Sequence, residues 1–285
     1  MRHMGDVLAG IHATWEFESD AVVIRFERGI RAPKLFQTLR ERRIPHEALA
    51  SVTLAPGKRG TVVLHAVPRP GADPLMEAAA GQLKEACDPY RLVLPAEREV
   101  LAEYYRDELR ARLRPDGPSD GFLVAAPEGP QSFKAYDGKA SFDGSSEVQF
   151  RWFWTGASSE KWKAGDQTFP VRELSGVEWR SPEVFDGYLR LLTRSGDPQP
   201  AQADHDPAAV VFGLGYGPVH ESLPFAAAVL AAVRGAGRAV APLEAERRDP
   251  AGVAERIRHL GELHQAGLVT DEEFAAKKAE LLAEL

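Results

Sequence analysis

A single cysteine, Cys87, is present in 285 residues, so the chain cannot form a disulfide within itself. A reducing cytoplasm is the compartment that this usage predicts. Long apolar runs are also missing: no stretch approaches the ~20 apolar residues of a membrane span. The longest candidate, Phe225 to Val233, reads as a short Ala-rich helix, so any membrane contact is expected to be peripheral. Met1 to Ala9 lacks the apolar run of a secretion signal. An excess of positive charge is absent as well. The 42 acidic residues outnumber 35 basic ones, a net charge of −7, which disfavours a general nucleic-acid binder. What is present is ordinary globular composition, 44% hydrophobic and 27% charged. At about 100–200 residues per domain, the length allows roughly two domains and a small addition.

The feature that organises the chain is an internal repeat. Ile44-Pro45-His46-Glu47-Ala48-Leu49-Ala50-Ser51-Val52 recurs as Phe169-Pro170-Val171-Arg172-Glu173-Leu174-Ser175-Gly176-Val177. The same spacing carries Phe17 onto Phe142 and Val23 onto Val148 without a gap, and Asp88-Pro89 returns as Asp206-Pro207 after a loop shorter by seven residues. A repeat of this period predicts two copies of one structural unit.

In copy one, strands are expected over residues 10–17, 21–26, 50–54, 61–67 and 90–94. Between them lie a basic loop or short helical turn over 31–43 and a poorly periodic Ala-rich segment over 75–86. A helix from Glu97 to Arg114 follows, with Val100, Leu101, Tyr104, Leu109 and Leu113 roughly on one face. In copy two the expected strands are 139–142, 147–154, 177–179, 188–192 and 208–212, with Pro224 to Arg234 as the matching helix. Strands first and one closing helix make an α+β unit, a curved sheet or barrel sealed by its C-terminal helix. The boundaries that follow are 8–115 for the first repeat, 116–130 for a linker, 131–236 for the second repeat, 237–250 for another linker and 251–285 for a helical hairpin. In that hairpin Gly267 suits a left-handed cap, and Thr270 with Glu273 forms a capping box.

The stretch Leu263-His264-Gln265-Ala266-Gly267-Leu268-Val269-Thr270-Asp271-Glu272-Glu273-Phe274-Ala275-Ala276-Lys277-Lys278 closely resembles the short C-terminal domain family (SHOCT), which is appended to many unrelated bacterial proteins. That resemblance implies oligomerisation or docking. The two larger units resemble the tandem domain-of-unknown-function family DUF4429. Gly71-Ala72-Asp73-Pro74-Leu75, Gly81-Gln82-Leu83 and Asp88-Pro89-Tyr90-Arg91-Leu92 carry the likeness in copy one, and Ala140-Ser141-Phe142-Asp143-Gly144 and Gly176-Val177-Glu178-Trp179 in copy two. It implies pleckstrin-homology-like units and brings no established activity or functional residues.

Gly213-Leu214-Gly215-Tyr216-Gly217 lacks the third glycine of a phosphate loop and is interrupted by Pro218, so a connecting loop is expected. His259 and His264 diverge by about 140° on one helix and cannot share a metal. No catalytic, cofactor-binding or metal-binding residues are expected, and Cys87 reads as a passive thiol. Trp152, Phe153 and Trp154 are expected as a strand buried on both sides, joined in the core by Phe142 and Trp179. Arg25, Arg28, Arg31, Lys34, Arg40, Arg42 and Arg43 form a basic run that is either a solvated face or a site for an anionic ligand or lipid headgroup. The expected function is therefore a non-enzymatic interaction or scaffold protein that self-associates or docks through 251–285. Ile257, Leu260, Leu263, Leu268, Phe274 and Leu281 are the candidate contacts, and peripheral binding of an anionic ligand is the alternative.

Overall fold

The structure is a computed structural model that describes residues 6–113, 117–184, 186–195 and 199–247, and in the tail 258, 260, 270, 274, 275 and 278. Two compact units are distinguished, Met1–Val233 and Arg234–Leu285; the first contains both repeats.

The α+β class holds. In copy one the elements run β1 (Asp6–Ala9), β2 (Ala13–Phe17), β3 (Ala21–Phe26), α1 (Lys34–Leu39), β4 (Glu41–Pro45), β5 (Leu49–Pro56), β6 (Thr61–Pro68), α2 (Pro74–Ala79), β7 (Arg91–Pro95) and α3 (Glu99–Arg112). Copy two repeats the order without a counterpart of α2: β8 (Gln131–Lys134), β9 (Gly138–Phe142), β10 (Glu147–Trp152), α4 (Ser159–Ala164), β11 (Gln167–Pro170), β12 (Leu174–Arg180), β13 (Tyr188–Thr193), β14 (Ala209–Val211) and α5 (Val219–Arg247). The segment expected as a second linker is helical as far as Arg247.

The strands do not close into barrels. Among the described residues they form four antiparallel sheets, ordered β1-β2-β3-β4, β5-β6-β7, β11-β10-β9-β8 and β12-β13-β14. The repeated proline explains the break. Pro45 and Pro170 each end an edge strand, where a residue without an N–H cannot extend the ladder. One turn of tight helix follows in each copy, His46–Ala48 and Val171–Glu173, and carries the chain into the next sheet. In copy one the two sheets touch through a single isolated bridge, Ile11 to Val93. The next strand carries the same register irregularity in both copies, between Leu49 and Ser51 and between Leu174 and Gly176.

The duplication is real but not gapless. Phe17 pairs with Val22, whereas Phe142 pairs with Val148, so Val22 and not Val23 is the counterpart of Val148. One extra residue in the copy-two hairpin turn accounts for the shift. A strand missing from the sequence reading opens each copy, because β1 and β8 are four residues each and too short to show alternation.

Copy one buries a continuous core from Leu8, Trp15, Ile24 and Ile44 through Leu49, Leu64 and Leu92 to Ala102, Tyr105 and Leu109 of α3. The buried face of α3 is therefore offset from the expected one: Val100 is 78% exposed and Tyr104 53% exposed, and both lie outside the core. Ala102 was passed over because its side chain is small, yet only a small residue lets the helix approach the sheet. The aromatic run also divides. Trp152 is buried and ends β10, while Trp154 is 78% exposed beyond the strand and meets Trp162 edge to face. Phe142 and Trp179 are buried as expected.

One carboxylate ties copy one together. Asp73, the N-cap of α2, accepts from Leu75 N at 2.9 Å, from both Arg42 guanidinium nitrogens at 2.7 and 2.9 Å, and from Tyr90 Oη at 2.7 Å. Replacing Asp73 by Ala strands the buried Arg42 charge. A loss of about 3–5 kcal/mol is expected in urea unfolding. The exposed ion pair of Asp20 with Arg43 sets the contrast: Asp20→Ala should cost no more than about 1 kcal/mol.

Candidate functional site

The seven basic candidates separate into two groups once the chain is folded. Arg42 points into the core; burial disfavours its charge, but Asp73 and then Tyr90 more than offset this, so its pKa is raised. Arg25 bonds Glu16 and Glu41, and Arg43 bonds Glu18 and Asp20. Arg28, Arg31, Lys34 and Arg40 are exposed and make no ion pair among the described residues. Alternation explains the split: in β4 the side chains of Arg42 and Ile44 face the core while Glu41 and Arg43 face outward. Sequence reasoning could not sort seven cations without knowing that phase.

Lys34 and Arg40 flank α1 and open onto a cleft of about 950 Å³ between the repeats. One wall is β4. The other is the connecting segment Val124–Glu128, with His220 and Pro224 at the start of α5. A second depression of about 740 Å³ shares Lys34 and His220 and continues past Cys87 to the loop carrying Leu214 and Tyr216. His220 lies below the ordinary imidazole range through burial, then through Lys34, with Glu221 opposing. Burial pushes the Cys87 thiol up, away from a reactive thiolate.

Arg40 occupies a left-handed conformation, φ 59°, at the end of α1, and its counterpart at the end of α4 is Gly165, φ 71°. Only copy one has a side chain at this cap, and it is a cation at the cleft mouth. The glycine stretch after β14 has a packing reason: a Cβ on Gly217 would sit 2.2 Å from the Phe212 ring, and Gly217 N donates to Lys134 O at 2.8 Å.

The longer loop of copy one reaches across to the second repeat. Gln82, just beyond α2, donates to Trp179 O and accepts from Ser181 N, each at 2.9 Å, and Lys84 pairs with Glu183 at 2.9 Å. The repeated Asp-Pro also has a bond to make. Asp88 and Asp206 accept from the backbone two residues on and meet a nitrogen of a side chain on the central strand, His65 Nε2 at 3.2 Å and Arg190 Nε at 2.9 Å. Copy two replaces the Asp73 network by a different one. Asp137 accepts from Lys161 Nζ at 2.5 Å and from Val211 N at 3.0 Å, with the ammonium 5.0 Å from the Trp152 ring. Burial raises the Asp137 carboxyl and lowers the Lys161 ammonium, the pair's attraction offsetting only part. Nothing in the sequence singled out Lys161, which reads as a surface lysine.

Among the described residues, no group of three His, Cys, Asp or Glu is placed to hold a metal ion, and no helix is long and apolar enough to cross a membrane. His259, His264, Ile257, Leu263, Leu268 and Leu281 lie outside the described residues. Leu260 and Phe274 are helical and half-buried, and Phe274 N donates to Thr270 O at 2.9 Å, a helical bond that starts from the expected cap.

Comparison with protein families adds two findings. The model of a domain of unknown function, DUF4429, matches twice, at residues 15–110 and 140–230. The short C-terminal domain, SHOCT, matches residues 255–282. No curated protein matches the chain.

Two histidines make acid a destabilising condition. His46 is buried with no partner on Nε2, and burial followed by the Arg112 charge lowers its pKa, as burial does for His220. A folded state that binds these protons less readily than the unfolded chain loses stability as pH falls through the unfolded value of about 6.5. The urea midpoint should therefore drop between about pH 7.5 and 5.5, and the double variant His46→Gln, His220→Gln should flatten that slope.

Proposed function

The chain belongs to the DUF4429 family, carrying that domain twice ahead of a short C-terminal domain, and on this premise we propose that it is a non-enzymatic interaction protein. Each repeat is read as a pleckstrin-homology-like unit, seven strands in two sheets followed by one helix. The tail is read as a self-associating or docking hairpin. The observation that carries the non-enzymatic reading is the state of the buried ion pairs. Arg42, Asp73, Asp137, Lys161, Arg190 and Asp206 are all engaged in holding strands and helices of the body. A general acid or base must reach a substrate proton, and these groups are bonded inward.

For the tail, the support is the motif match and its apolar stripe. A hairpin of about thirty residues buries too little apolar surface to stand alone, so Ile257, Leu260, Leu263, Leu268, Phe274 and Leu281 need a partner surface. Deleting residues 250–285 should lower the mass seen by light scattering to that of one chain. An unchanged mass rejects self-association through the tail.

Arg28, Arg31, Lys34 and Arg40, exposed and without ion pairs among the described residues, favour a second reading: the body binds an anionic ligand or a lipid headgroup. Flotation with vesicles rich in anionic lipid should then carry the protein at low salt and release it at high salt. Indifference to lipid charge removes the headgroup as the source of the anion.

A further inference from the structure

Strand β4 is the last in its sheet, and its free edge faces the cleft between the repeats. Two hydrogen bonds set the phase of that edge. Phe26 N donates to Arg40 O at 2.8 Å and His46 N donates to Asp20 O at 2.9 Å. In an antiparallel ladder the bonded residues alternate, so Arg40, Arg42, Ile44 and His46 turn their backbone groups toward β3. Glu41 and Arg43 therefore turn theirs outward, into the cleft. The facing segment Val124–Glu128 has no strand assignment and makes no backbone hydrogen bond to β4 among the described residues, so the position of a fifth strand is open.

Exposed edges are commonly guarded by charge and proline, and Pro45 and Arg43 serve that end here. Guarding alone does not account for the charges across the cleft. Lys34 and Arg40 from copy one and His220 from copy two border it, and the acidic residues lining it are Glu41, already bonded to Arg25, and Glu128. Apolar Ile30, Leu39, Pro127 and Pro224 also line the walls. The corresponding edge in copy two, β11, reads Gln167-Thr168-Phe169-Pro170 and has no cation. The basic edge is thus particular to copy one.

We infer that the cleft binds an extended acidic peptide that adds as a strand to the edge of β4, its carboxylates meeting Lys34 and Arg40. Strand addition supplies main-chain bonds at Glu41 and Arg43, and alternate side chains reach the two kinds of wall. The inference rests on the anionic-ligand reading and narrows its ligand to a peptide.

The test uses the full chain and a short fluorescent peptide alternating Glu and Val, followed by anisotropy. Binding should weaken with salt and vanish when Lys replaces Glu in the peptide. N-methylating alternate peptide amides, so that the bonded edge loses its donors, should weaken binding at least about tenfold in one of the two phases. The double variant Lys34→Glu, Arg40→Gly should do the same; Gly165 already fills the left-handed cap position in copy two, so the backbone at Arg40 tolerates glycine. Equal affinity for both N-methylated phases and the parent peptide overturns strand addition, and an unaffected double variant overturns the site. Flotation on anionic vesicles runs in parallel. Vesicle binding without peptide binding overturns the peptide and keeps the anionic-ligand reading. Failure of both overturns the two together.

Discussion

A buried aspartate, Asp73, is the constraint around which copy one is arranged. Its two oxygens accept four bonds from three places: the start of α2, the edge strand β4 and the residue before β7. A carboxylate without exposed surface is costly unless every lone pair finds a donor, and here a bidentate arginine and a tyrosine supply them. The geometry is unforgiving. If β4 shifted by one residue, Glu41 or Arg43 would replace Arg42 as the group aimed inward. The network therefore sets the phase of β4, and through it which cations reach the cleft and which backbone groups stay on the free edge.

Copy two has no counterpart of α2, and its stability rests on another pair, Asp137 with Lys161, lodged against Trp152. The longer loop of copy one meanwhile contacts the second repeat through Gln82 and Lys84. The cationic cap at Arg40, at the mouth of the cleft, occupies a position where copy two has Gly165.

Much of this could be read from residues in order. The repeat and most of the strands followed from alternation, proline and turn chemistry, and the family motifs fell on residues now seen to be pins: Asp73, Gln82, Asp88, Tyr90 and Trp179. The errors have physical causes. The face of α3 was misjudged because a helix packs through its small residues as well as its large ones, and Ala102 carries no hydrophobic signal strong enough to outweigh Val100. The aromatic run was misjudged because a strand end, after Trp152, cannot be seen in three consecutive large apolar residues.

Periodicity and spacing are local, so the order of residues alone determined that the chain is a duplicated α+β unit with an appended motif. Pairing is not local. Which arginine lies beneath the sheet and which lies above it, which strand remains an edge, and which cations find a carboxylate were decided only when segments far apart in the chain came together, because a charge is silenced or left free by a neighbour in space and not by a neighbour in the sequence.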